Sequence, residues 1–245
     1  MRFRPEQTTN SNETGGAVAG AERQAVRACW SAAAALLGAT SAMAAGGHHA
    51  LDDAVILEPG TCQVESWLTR ARDHQRLLHV GSSCRVGPLE LGVAAEPARG
   101  DEGRQTGYQL QGKWAAEVVP GFNAGLSLTG GWQAHARPRY QTTNVAGLFS
   151  WFARDDLAFH LNLGRDLLRG QADEDRSGVS VEWTARPGWS LTGERYIETR
   201  THFARAGARW AINDSWSVDL SRAHRLRGPA ASNWTFGATW VFARP

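Results

Sequence analysis

His48 and His49 stand just ahead of Asp52 and Asp53. Imidazoles and carboxylates this close can hold a divalent transition metal, but two adjacent histidines are a weak ligand signal. The segment therefore reads first as a solvated polar leader, and no metal or other cofactor is expected. His160, Leu161 and Asn162 offer an imidazole and an amide two positions apart. A nucleophile beside the imidazole would make this pair catalytic. No serine is in place, so no enzyme is expected and His160 reads as lining a polar interior. Glu90, Lys113, Glu117, His160, Glu182, Glu194, Arg205, Arg209 and Asp219 all fall at polar positions of segments that alternate polar with apolar. Rings of charged side chains set selectivity in pores. Glu90, Glu117, Glu182 and Glu194 against Arg165, Arg205 and Arg209 could form such a ladder, or could neutralise one another and close the space.

The elements that would position these residues are strands. FNAGLSLTGGW (122–132) puts Phe122, Ala124, Leu126, Leu128 and Trp132 on one face and Asn123, Ser127 and Thr129 on the other. LAFHLNLG, VSVEW, WSVDLS and NWTFGATWVF alternate in the same way, a period of two that marks strands. Turn chemistry recurs at Gly87-Pro88, Pro120-Gly121, Asp155-Asp156, Pro187-Gly188 and Asn213-Asp214. Between these short turns lie charged connections around 97–105, 166–177, 198–202 and 225–232. Short and long connections thus alternate between about 12 strands, each long enough to cross a bilayer at a tilt.

Aromatic placement bears on what surrounds the strands. Trp151, Trp183, Trp189, Trp210, Trp216 and Trp240, with Phe122 and Phe242, lie close to a short turn or to the C-terminus, as an interfacial girdle requires. Trp132, Trp234 and Tyr140 sit at the other ends of their strands and begin a second ring. A soluble sandwich has no need of one level for its aromatics. Apolar outward and charged inward fits a membrane barrel; a lipocalin-like barrel would be inverted.

Basic and acidic residues nearly cancel, 26 against 24, with no concentrated basic face for nucleic acid. A hydrophobic share of 42% argues against disorder. Apart from residues 28–45, no window reaches the roughly 18 apolar residues of a membrane helix. Residues 1–22 read as a polar leader. Residues 23–44 read as a signal peptide, with Arg23 and Arg27, an apolar run and an Ala42-Met43-Ala44 cleavage site. Residues 45–60 are then a short periplasmic segment before a barrel at 61–242. In an exported chain, the remaining pair Cys62 and Cys84 favours a disulfide. The first two strands turn near Asp73, which sets these cysteines opposite each other or one step diagonal, on the same side.

On these residues the chain resembles a proteobacterial outer-membrane β-barrel over about 61–242, and is similar to small porin-like barrels of that class. Such proteins end on an amphipathic strand with a terminal aromatic read by the barrel-insertion machinery. Gly237, Trp240 and Phe242 resemble that signal, although Ala243-Arg244-Pro245 follow it. The resemblance implies an all-β up-and-down barrel in the outer membrane, with membrane lipid and that machinery as partners. The function expected is a porin-like channel or binding barrel for small polar solutes. The alternative is a closed structural or adhesive barrel whose loops bind partners outside.

Overall fold

The computed structural model describes residues 49–100 and 103–244. Among these, the strands are β1 (Thr61–Ala71), β2 (Arg76–Val86), β3 (Leu89–Gly100), β4 (Gly103–Val119), β5 (Phe122–Gln133), β6 (Tyr140–Arg154), β7 (Leu157–Leu168), β8 (Glu174–Arg186), β9 (Trp189–Glu198), β10 (Thr201–Ala211), β11 (Trp216–Arg227) and β12 (Asn233–Ala243). Each pairs antiparallel with its sequence neighbours, and β1 pairs with β12 from Thr61↔Ala243 to Ala71↔Asn233, which closes the barrel. Closure leaves no free edge, so every strand has a hydrogen-bonding partner on both sides, as a lipid environment demands.

The alternation in sequence becomes an alternation of faces. Leu126 is 59% exposed, Ser127 8% and Leu128 55%. Leu68, Val93, Leu110, Leu163, Val179 and Phe236 are likewise exposed, whereas Lys113, Ser150, His160, Asn162, Glu194, Arg209 and Asp219 are buried. Apolar side chains therefore cover the outside and polar ones fill the inside. In water such an apolar surface would be an aggregation liability; against lipid it is the required belt.

Sharp turns join the strands at the end where β1 begins and β12 ends. Gly121 (φ 77°) and Gly188 (φ 77°) occupy backbone conformations that a side chain would strain, which explains the Pro-Gly pairs there. The other end differs from expectation. The charged stretches near 97–105, 166–177 and 225–232 are not long loops, because β3, β4, β8 and β11 run through them and leave connections only at 101–102, 169–173 and 228–232. Charge there marks emergence from the apolar belt, not the end of backbone pairing. Between β9 and β10 only Thr199 (φ 48°) and Arg200 (φ 55°) remain, a two-residue turn with both residues left-handed. It lacks the Asn-Gly chemistry by which such turns are read from sequence.

Rings collect at the turn end. Phe122, Trp151 and Phe159 are register partners across β5, β6 and β7. Trp189 stacks on Trp210 at 5.8 Å, and Trp216 on Trp240 at 5.6 Å. At the loop end Tyr108, Trp132 and Tyr140 are in register across β4, β5 and β6. Cys62 and Cys84 are direct partners of β1 and β2, joined by a disulfide on the outward parity near the turn end.

Candidate functional site

The lumen is occupied by the chain's own N-terminal segment. Residues 45–60, read from sequence as a periplasmic lead-in, contain a strap from Ala50 to Leu57 that runs along the barrel interior, with Leu51, Asp53, Ala54, Ile56 and Leu57 buried. The main chain of the strap is held by lumen side chains at Ala50, Leu51, Asp52, Ala54 and Leu57. The Ala50 and Leu51 N–H groups point to the Glu194 carboxylate at 3.4 Å. The Asn162 amide, oriented by its surroundings, accepts from the Asp52 N–H at 2.7 Å and donates to the Asp52 carbonyl at 2.8 Å. Ser150 Oγ accepts from the Ala54 N–H at 2.7 Å, and Asn123 donates to the Ala54 carbonyl at 3.2 Å. Nearest the turn end, Glu90 accepts from the Leu57 N–H at 3.1 Å and Arg85 donates to the Leu57 carbonyl at 2.9 Å. Unpaired backbone groups in such a space would each cost on the order of 1–3 kcal/mol, so wall residues that satisfy them fix the path of the strap.

Charge and packing complete the attachment. Lys113 Nζ lies 2.7 Å from Asp52 and 2.9 Å from Asp53, with Lys113 and Asp53 buried. Burial pushes the Asp52 carboxyl up to about 6 despite the Lys113 ammonium, and neighbouring Asp53 adds to the rise. Leu51 packs with Tyr196, Phe203 and Ala223, and Ala54 with Ala146 and Leu148. Gly178 makes room for the first of these clusters, since a Cβ there would fall 2.6 Å from the Tyr196 Cβ.

The expected lumen residues divide accordingly. Glu90, Lys113 and Glu194 hold the strap directly. His160 holds it through Ser150, whose hydroxyl shares a hydrogen bond with His160 Nδ1 at 2.8 Å. Arg205 lies 3.6 Å from Glu194, and Arg209 is paired with Asp219 at 2.6 Å. Glu182 is half-buried on the lumen face. Two residues of the expected charge ladder stand elsewhere. Glu117 is exposed at the turn mouth, where it accepts from the Gly121 N–H, and Arg165 points outward and faces Asp173 at 3.7 Å. Arg165 has odd parity on a strand whose lumen face is even. His49 lies 3.8 Å from Glu194, His48 is outside the described residues, and no group of three metal-ligating side chains occurs among the described residues.

Beside the strap the lumen holds a cavity of about 560 Å³, lined from Gln63 and Glu90 in the turn half to Glu198 and Asn233 in the loop half. On the strap side it is lined by His49, Leu51 and Asp52, and its walls carry Trp67, His79, Gln109, Gln111, Thr129 and Asn144. Trp67 stacks flat on His79, with centroids 3.5 Å apart, and His79 Nδ1 meets Glu96 at 2.8 Å.

The strap, the Ser150–His160 pair and the Trp67–His79 stack were not read from sequence. A signal for the strap was present: Leu51, Val55, Ile56 and Leu57 are too apolar for a solvated leader, and Asp52-Asp53 complement the one lysine of the chain.

A closed twelve-strand antiparallel barrel, apolar outside and polar inside, is an outer-membrane barrel of porin-like type. The chain belongs to the family described as uncharacterised conserved protein UCP029691, whose model matches residues 33–242. No curated protein matches it. Among solved structures it is similar to the KdgM porin, with 10% identity, a TM-score of 0.58, and coverage of 74% of this chain and 99% of that one. A second KdgM structure, in complex with disordered oligogalacturonate, gives a TM-score of 0.57 at 10% identity over 74% and 99% of the two chains. The NanC porin gives 0.54 at 10% identity over 75% of this chain and 100% of that one.

Proposed function

We propose that the protein is a porin-like outer-membrane barrel that admits small polar solutes to the part of its lumen beside the strap, and that the strap running through the lumen obstructs passage. The observation that carries this reading is a polar cavity lying alongside a segment held by reversible contacts, with no covalent tie between Ala50–Leu57 and the wall among the described residues. Passage then requires displacement of the strap. We also read residues 23–44 as a cleaved export signal, which puts the mature amino terminus within a few residues of the strap. The Ser150–His160 pair serves the strap and not catalysis, since Ser150 is fully buried beneath Ala54. Connections of two to six residues at the loop end offer little surface for adhesion, which weighs against the adhesive alternative.

The cavity wall carries Asp52, Glu65, Glu90, Glu96 and Glu198 against Lys113, Arg176 and Arg205. That balance favours neutral or cationic solutes over an acidic saccharide of the oligogalacturonate type found with KdgM. Labelling of a Thr129→Cys barrel in vesicles tests both points. A small cationic thiol reagent added on the loop side is expected to react about fivefold faster than an anionic one of equal size. An unreactive Cys at 129 would contradict an open cavity, and a faster anionic reagent would contradict the preference.

A further inference from the structure

The outer wall at the loop end carries a row of like charges that the strand register sets side by side. Arg70 of β1 is the direct partner of Arg76 of β2, Arg76 that of Arg99 of β3, and Arg99 that of Arg104 of β4. All four are exposed and on the outward parity of their strands. The row continues the other way round the barrel: Arg70 pairs with Trp234 of β12, Trp234 with Arg222 of β11, and the Arg222 guanidinium lies 5.0 Å above the Trp234 ring. Like charges directly opposite across a ladder repel, so four in succession destabilise the bare barrel. Among the described residues no carboxylate forms an ion pair with these four. The ion pairs among the described residues engage other arginines, such as Arg154, Arg165, Arg176 and Arg200, and none of these four.

Position points to a counter-charge supplied from outside the barrel. Below the row on the same outward columns stand Leu68 and Leu78 directly, then Tyr108 beyond Thr106 and Val93 beyond Pro97 and Ala95; Leu68, Leu78, Val93 and Tyr108 are exposed. The arginines therefore sit at the rim of the apolar belt, beside an interfacial tryptophan, where lipid headgroups lie. Three inter-strand steps make the row roughly 15 Å long, enough to meet more than one phosphate. Arginine is the residue suited to this task, because its planar fork takes phosphate oxygens two at a time.

We propose that the Arg70–Arg76–Arg99–Arg104 row is a docking site for a lipid whose headgroup bears phosphates, held in the leaflet at the loop end with its chains against the columns below. The site concerns the outer wall; it rests on the membrane reading above but not on the strap or the cavity.

The test reconstitutes the full mature chain in phosphatidylcholine discs doped with diphosphoryl or monophosphoryl lipid A, and reads the lipid retained after mild detergent extraction by native mass spectrometry. The wild type is expected to enrich the diphosphoryl lipid most, and to lose affinity about fivefold for each arginine changed to glutamine. A turn-end control, R154Q with R186Q, should retain it fully. Folding provides a second readout. In phosphate-free neutral detergent, R70Q/R76Q/R99Q/R104Q should be at least as heat-stable as the wild type, and added diphosphoryl lipid should stabilise only the wild type. Equal enrichment by the quadruple variant overturns the proposal. So does displacement of the lipid by soluble pyrophosphate at matched concentration, which would make the ligand a free polyanion. A chain that inserts into discs but ignores phosphorylated lipid refutes this site alone, whereas a chain that never inserts refutes the membrane reading itself.

Discussion

Lys113 is the one lysine of the sequence and the counter-ion of both strap aspartates. Removing one partner of a buried pair leaves the other desolvated, so Lys113→Met should weaken docking of the strap by about 3 kcal/mol. The expected readout is new protease cleavage between residues 50 and 57 of a barrel that otherwise stays heat-modifiable. An unchanged digestion pattern would show that the ion pair is not what holds the strap. Asp52 gives the pH dependence its sign. Its carboxyl rises from the ordinary value near 3.9 to about 6 on docking, among Lys113, Asp53 and Glu90. The docked form thus binds a proton more readily than the free one. Docking is favoured most below about pH 4, and this contribution is lost as pH rises through about 6. Open time in bilayers should increase between pH 4 and 6.5 and then level off, and Asp52→Asn should flatten the curve. Parity alone was enough to assign Glu90, Lys113, His160, Glu194, Arg205, Arg209 and Asp219 to the inner face. It could not identify the partners of Glu90, Lys113 and Glu194, because those lie on a segment with no period to read, 33 to 144 residues away in sequence.

At the scale of elements, strand bounds follow the alternation closely wherever turn residues punctuate it, Gly or Pro at Val86, Phe122 and Trp189 and Asp155-Asp156 at Leu157. At their charged ends the strands run further than the alternation predicts, because a hydrated strand end keeps its ladder bonds without an apolar face to reveal it. Tags inserted after Gly100 and Asp173 should be accessible to antibody on whole cells; labelling only after permeabilisation would reverse the orientation. The first hairpin carries the disulfide, with a sequence separation of 22 between Cys62 and Cys84. Closing a loop of that size contributes about 3 kcal/mol. The mature chain, denatured without reductant, should take up no thiol label, and two labels per chain would show that the bridge does not form.

For the whole molecule, the barrel and its polarity follow from a two-residue period and a tally of aromatics, whereas the state of its lumen depends on how residues 49–57 fold back into it. The central claim is that this strap closes a lumen that would otherwise conduct. Single-channel recording in planar bilayers compares the full mature chain with one lacking residues 49–57. The account predicts rare, brief openings for the full chain and long-lived, cation-preferring steps for the shortened one. Silence from a shortened barrel that remains heat-modifiable, or equal conductance from both chains, would contradict it.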